Sequence, residues 1–286
     1  MDIRALFLGL SFVVMWSSAF TSARIAVAYM SPLLLLSVRF LISGLIAMVI
    51  AKLLGQRIAL SRKQWGAVVL FGLLQNGVYL GANFVAMQWI EAGLAAIIAS
   101  LLPLLVALLS WLLFKERLPK LGVLGLFAGL AGVLIIMWSR LSGGADIAGV
   151  LLAFLGVGAL GLATLLVRGA AASGNILMVV GLQMLVASAV LFPVSLMFET
   201  WHVIWSWQLI IAFIYTTLVP GVLATLVWFT LVQRIGAVRA ASYHFLNPFL
   251  GVAIAAMVVG ESLSLQDMIG VIVITLGIIA VQLSKR

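Results

Sequence analysis

The sequence holds no cysteine, two histidines and seven acidic residues in 286. Without cysteine there is no disulfide framework, no thiolate nucleophile and no thiolate metal cluster. With only His202 and His244 there is little from which to assemble a metal site, so neither a metal nor a cofactor is expected. Charge is scarce as well: Asp, Glu, Lys and Arg together make up 8% of the chain, against roughly 25% in soluble globular domains. Apolar residues fill the space. They account for 65% of the sequence, and mean hydropathy is +1.33. A membrane-crossing helix needs about 20 apolar residues in succession, so a chain this long has room for roughly ten crossings with short loops between them. No length is left for a soluble domain.

Apolar runs fall at approximately 5–23, 32–52, 65–88, 92–114, 121–139, 147–167, 176–198, 207–233, 237–260 and 267–284. The opening run has the length of a membrane span rather than that of a signal-peptide core, and is read as retained. A net charge of +9 would suggest nucleic acid in a soluble chain, but here the basic residues occupy the gaps between apolar runs. With ten spans and a cytoplasmic N-terminus, 13 of the 16 Lys and Arg residues fall on the cytoplasmic side, two (Arg24 and Arg140) outside, and Arg39 within a span. That bias is the positive-inside pattern. It predicts a multi-pass protein of the bacterial cytoplasmic (inner) membrane with both termini cytoplasmic, partnered by the lipid bilayer and by no nucleic acid.

The two halves resemble each other at a shift of 144 to 145 residues. Pro103 and Glu116 have the same spacing as Pro248 and Glu261; Gln88 matches Gln233, Gly125 matches Gly270, Gly132 matches Gly277, and Gly77 matches Gly221. Five spans is an odd number, so the second copy must sit inverted. The expected fold is therefore an all-α polytopic membrane protein of ten transmembrane helices in two inverted five-helix repeats, 1–140 and 141–286. Such repeats recur in secondary transporters, where rocking about the pseudo-two-fold axis exposes a midplane site alternately to each side.

These features also resemble a known family. The P-x12-E pattern closing spans four and nine, the Arg39-Phe40 pair in span two and the Gly-rich spans five and ten are similar to the EamA-type branch of the drug/metabolite transporter superfamily, and within it to bacterial YddG-type amino acid exporters. The resemblance implies a basket in which spans 1, 3, 4, 6, 8 and 9 line a central cavity and spans 2, 5, 7 and 10 support it.

Polar groups inside a bilayer are costly and should face a cavity or a partner helix. Gln75, Asn76, Tyr79 and Asn83 fall on one helical face of span three, and Tyr243, His244 and Asn247 on one face of span nine. Such amide, phenol and imidazole groups can hold the charged ends of a zwitterion. The plainer reading is hydrogen bonding that joins helices. Trp16, Tyr215 and Trp228 lie deep enough to supply aromatic walls, whereas most of the other tryptophans sit at span ends, as interfacial anchors do. Arg39 can attract a substrate carboxylate or brace a neighbouring helix through its carbonyls; with Gln183 in its place in the second repeat, it is read as structural or electrostatic. Pro103 and Pro248 are candidate hinges or gates because each removes a backbone hydrogen bond in mid-span. Glu116 and Glu261, at span ends, are framework.

The resulting reading is a secondary transporter that exports amino acids, aromatic and other neutral ones first, and related small metabolites by alternating access. A multidrug or organic cation exporter is the alternative. An intramembrane enzyme, the rival from a different class, would need a placed nucleophile and base or a carboxylate cluster, and the acids are scattered. Sugar-nucleotide carriage would need several basic groups on the phosphates. No protein partner is required. Facilitated export without proton coupling predicts that His244→Asn keeps substantial substrate exchange in proteoliposomes; complete loss of exchange with intact substrate binding would instead make His244 a proton carrier.

Overall fold

A computed structural model of the chain describes residues 2–90, 95, 98–116, 118–138, 146–170, 175–247, 249–250, 253 and 265–284. Helices dominate them: α1 (Ile3–Val27), α2 (Pro32–Leu53), α3 (Arg62–Ala86), α4 (Leu102–Phe114), α5 (Lys120–Trp138), α6 (Ile147–Ala170), α7 (Ile176–Phe198), α8 (Trp207–Ile235), α9 (Ala237–Ala241, continued by a 3₁₀ turn at Ser242–Leu246) and α10 (Leu265–Leu283).

Local chemistry sets many of the ends. Asp2 caps α1 by accepting from the Arg4 and Ala5 amides, Ser61 and Gln64 form a capping box on α3, Asp146 caps α6 and Ser206 caps α8, each satisfying amides that lack a helical acceptor. Gly55 and Gly236 end α2 and α8 at φ 76° and 84°, a left-handed backbone that glycine adopts without a side-chain clash. Helix α2 is capped from far away. Its Leu33 and Leu34 amides donate to the two carboxylate oxygens of Glu199 at 2.7 and 3.0 Å, so a full negative charge sits on the positive end of the helix dipole.

Contacts between helix ends fix their directions. At one end Arg234 pairs with Asp2, the Met178 amide donates to Gln56, and Arg239 donates to the Ser284 carbonyl. Arg234 donates to Asp2 and holds that carboxyl below the usual carboxylate range. At the other end Met30 and Val203 form an isolated antiparallel bridge, and Ser31 Oγ accepts from the His202 amide at 3.1 Å and lies 3.0 Å from its Nδ1. Successive helices therefore alternate in direction, and the basic loops gather at the Arg234 end.

Six helices among the described residues are long and apolar enough to cross a membrane: α1, α2, α3, α6, α7 and α8. Ten were expected. At the other four positions the described apolar helices are shorter, because Ser100 and Leu101 form a turn ahead of α4 and because the apolar runs around α9 and α10 extend into residues that are not described. Pro103 accordingly stands in the first turn of α4 and not inside a continuous helix, so the amide it lacks is one that a helix start leaves unbonded anyway.

Large apolar side chains such as Phe7, Leu45, Phe127 and Ile211 point outward, while Ser17, Ser43, Thr164 and Gln183 are buried. A soluble protein shows the opposite arrangement; a lipid-facing bundle requires this one. Helices α2 and α7 pack along each other, as do α5 and α10. Glycine permits both approaches: a Cβ on Gly277 would stand 2.6 Å from the Gly129 amide nitrogen and 2.7 Å from the Gly125 carbonyl. Gly277→Ala must push backbone away from backbone, and should lower stability by about 1–3 kcal/mol, read as an earlier thermal transition in detergent. Gly66→Ala, facing open space on α3, should leave the transition unchanged or raise it.

Candidate functional site

A narrow central cavity of about 30 Å³ lies between α1, α2, α3, α7 and α8, in the half of the bundle nearer the Ser31–His202 end. Of the side chains selected from sequence, Trp16, Gln75, Asn76, Tyr79, Asn83 and Arg39 line it, together with Phe20, Phe40, Met184, Thr216, Pro220 and Thr225. The Trp16 and Tyr79 rings stack across it, nearly parallel at 7° and 6.3 Å apart. Space for about one water does not admit an amino acid, since ligand sites typically span roughly 300–1,000 Å³. The lining side chains leave the cavity too narrow for such a ligand.

Hydrogen bonding sorts the lining. Asn83 Nδ2 donates to the Tyr79 carbonyl at 2.9 Å, and Asn76 Nδ2 donates to Gln183 Oε1 on α7. Left over are Arg39 Nε, Gln75 Oε1 and Gln183 Nε2, buried polar atoms without a partner. Most buried polar groups find one. Three unsatisfied groups on or beside one cavity therefore mark it as a place where a ligand has something to bind.

The polar face of α9 lies elsewhere. Tyr243 OH donates to the Ala5 carbonyl at 3.4 Å, and Asn247 accepts from Ser17 Oγ at 3.2 Å while its Nδ2 lies 2.9 Å from His244 Nδ1. Because Oδ1 is the acceptor for Ser17, Nδ2 is the donor to the imidazole, which places the remaining ring proton on Nε2. The His244 ring meets Phe12 and Trp228 at 5.2 Å each and Trp16 at 6.0 Å, all edge to face. Phe12, Trp16, Trp228 and His244 thus form an aromatic floor beneath the cavity, with Trp16 shared between the two. Trp228 Nε1 has no partner there. Tyr215 is drawn off by a 2.7 Å hydrogen bond to Ser18 Oγ and does not line the cavity.

Two helices that flank the cavity are wound more loosely than an α-helix. Gly72–Leu80 in α3 and Thr217–Leu223 in α8 are π-helical, and Pro220 lies inside the second. Such segments are uncommon and concentrate at functional sites. They start 145 residues apart in sequence, the same shift that relates Gly125 to Gly270.

At the basic end two larger vestibules open, of about 680 Å³ and 510 Å³, with Ser110 and Glu116 bordering both. The opposite end is fastened by Glu199 on α2 and by the Ser31–His202 contacts. Pro248 and Glu261 lie outside the described residues. Sequence reasoning passed over Phe12, Ser17, Glu199 and His202. It noted Gln183 only as the counterpart of Arg39, although an amide in mid-span was itself a signal. Because the chain lacks cysteine, single substitutions report access directly: Ala67→Cys, in the larger vestibule, should react readily with a polar maleimide, and the buried Ala23→Cys beside the cavity should react far more slowly.

Comparisons with known proteins identify the family and the fold. The model of the EamA-like transporter family matches twice, at residues 3–138 and 147–283. The chain is 28% identical to the uncharacterized transporter YvbV of Bacillus subtilis, over 96% of this chain and 90% of that one. It is 29% identical to the uncharacterized inner membrane transporter YedA of Escherichia coli, over 95% and 88%, and 26% identical to the protein PecM of Dickeya dadantii, over 88% and 83%. A protein of known crystal structure, 22% identical, shares the fold with a TM-score of 0.81 over 98% of this chain and 96% of its own.

Proposed function

The chain belongs to the EamA-like transporter family, and on that premise we propose that it exports amino acids, neutral and aromatic ones first, and related small metabolites by alternating access. It is a transporter and not an enzyme. The observation that carries the substrate class is the cavity lining: two stacked aromatic rings, neutral amides and one arginine, with no acid among the described lining residues. An organic cation would find no carboxylate among these residues and would sit beside the like charge of Arg39. A zwitterion needs a donor for its carboxylate, an acceptor for its ammonium and apolar surface for its side chain, and all three are present. This is also the activity that the resemblance to YddG-type exporters implies.

Two inverted five-helix repeats, 1–140 and 141–286, supply the mechanism. The double match of the family model, the paired packing of α2 with α7 and of α5 with α10, and the π-helical segments at matched positions support this reading. The α2–α7 and α5–α10 pairs serve as fixed frames, and α1, α3 and α8 move against them around the cavity. With the basic end cytoplasmic, the two vestibules face the cytoplasm and the Glu199 and Ser31–His202 contacts lie at the outer end, which favours reading this state as inward-facing with a central cavity too narrow for substrate. The membrane is the inner membrane, as for the Escherichia coli relative.

Counterflow in proteoliposomes tests the reading. Labelled neutral and aromatic amino acids should exchange without a pH gradient, and Tyr79→Ala or Asn83→Ala should reduce that exchange about ten-fold or more, since each removes cavity wall or polar contact. Proton-driven movement of an organic cation without amino acid exchange would replace this substrate class with the multidrug alternative.

A further inference from the structure

Among the described residues the cavity holds a cation, Arg39, and no carboxylate to neutralise it. Arg39 is 4% exposed, lines the cavity, and has no partner for its Nε. Among the described residues no carboxylate pairs with it; the recorded ion pair is Arg234 with Asp2. Its guanidinium carbon stands 5.1 Å from the centroid of the Phe40 ring. A buried charge without a counter-ion is expensive, so the side chain needs a reason to be there.

Bracing a neighbouring helix does not supply one. Gln183, 144 residues further along the chain, shows what bracing looks like: its amide accepts from Asn76 in the π-helical part of α3. At the same shift Asn76 corresponds to Pro220 and Gly77 to Gly221. At Pro220 and Gly221 the facing turn of α8 therefore offers Arg39 no amide or carboxylate side chain, and a Cβ placed on Gly221 would come 3.7 Å from its Nη2. The α8 side chains that share the cavity with it, Thr216 and Thr225, are neutral and leave its charge uncompensated. Helix α2 meanwhile is held rigidly, packed along α7 and capped by Glu199, so the charge keeps its position when the surrounding helices move.

We propose that Arg39 binds the carboxylate of the transported substrate and that Gln75, whose Oε1 is buried without a partner, receives its ammonium; the inference rests on the amino acid reading given above. A guanidinium offers two parallel donors to a carboxylate. The faces of Trp16 and Tyr79 add attraction for the ammonium. A single arginine suits one carboxylate and falls short of a phosphate ester, which recruits several basic groups.

The test compares wild type with Arg39→Gln and Arg39→Lys in proteoliposome counterflow, using labelled phenylalanine, its carboxamide and the amine left on removal of the carboxyl group. For Arg39→Gln the half-saturating concentration of phenylalanine should rise about 10- to 100-fold, as expected for loss of a charge-assisted pair, while the carboxamide is handled as by wild type. Arg39→Lys should recover part of the loss. Thermal melting adds a readout independent of transport: phenylalanine should stabilise wild type and not Arg39→Gln, and without ligand Arg39→Gln should melt no earlier than wild type. If wild type exchanges phenylalanine and Arg39→Gln does so equally well, or loses acid and carboxamide alike, Arg39 is a structural residue and the amino acid reading stands. Should wild type carry the amine and never the acid, both proposals fall together.

Discussion

No water reaches the core of a bilayer, so a polar group there must be satisfied within its own helix or turned toward the inside of the bundle. Everything distinctive about this chain follows from how it meets that demand. Backbone groups are consumed by helices, serines and threonines return their hydroxyls to carbonyls one turn earlier, as Thr164 does to Leu160 and Thr216 to Ala212, and the few larger polar side chains are drawn inward. Glycine makes the inward packing tight enough to exclude lipid. Gly72, for example, brings α3 so close to α7 that a Cβ would fall 2.4 Å from the Gln183 carbonyl.

That demand also explains why the wide helical turns and the polar residues occur together. A π-helical turn gives up the regular i→i−4 ladder and leaves backbone groups in need of partners. In α8 the Thr217 carbonyl is met by Ser43 Oγ from α2 at 3.0 Å; in α3 it is a side chain of the wide turn, Asn76, that bonds to the Gln183 side chain from α7. Each wide turn is thus serviced by a polar side chain from a frame helix. If the two halves are inverted repeats, each half's frame supports the other half's moving part, and a change on one side of the bundle is felt by both.

Much of this was legible in sequence, for reasons that can be named. Composition and the placement of basic residues depend on solvent alone, which is why they indicate the helix directions seen at the Asp2–Arg234 and Ser31–His202 ends. The Gln75, Asn76, Tyr79 and Asn83 face was readable because periodicity survives even where the turn widens, and those four side chains share the cavity. The face of α9 was equally visible in sequence. Its neighbour was not, because whether a polar stripe meets a cavity or a helix depends on how helices pack, and Tyr243 and Asn247 bond to α1 instead. Glu199 was harder still: an acid at the end of a span reads as solvated, and the amides that donate to it sit 166 and 165 residues earlier in the chain.

The aromatic floor gives the asymmetry between the halves a physical meaning. His244, Phe12, Trp16 and Trp228 interlock across α1, α8 and α9, and the only one of them that lines the cavity above is Trp16. Between the cavity and the basic end there stands a layer of rings rather than an open path. On the transport reading proposed above, a ligand coming from the basic end meets this layer first, and the ring that the layer shares with the cavity is the one stacked on Tyr79. Trp16 is therefore both wall and door: displacing it to admit a ligand breaks its contacts with the floor, while a ligand seated against it replaces the Tyr79 stack with one of its own. Aromatic pairs of this kind contribute about 0.5–1.5 kcal/mol beyond burial, small enough to exchange at ordinary temperature. A substrate that carries an aromatic ring can restore the stacking it displaces, which is a physical reason for such substrates to be favoured over aliphatic ones of equal charge.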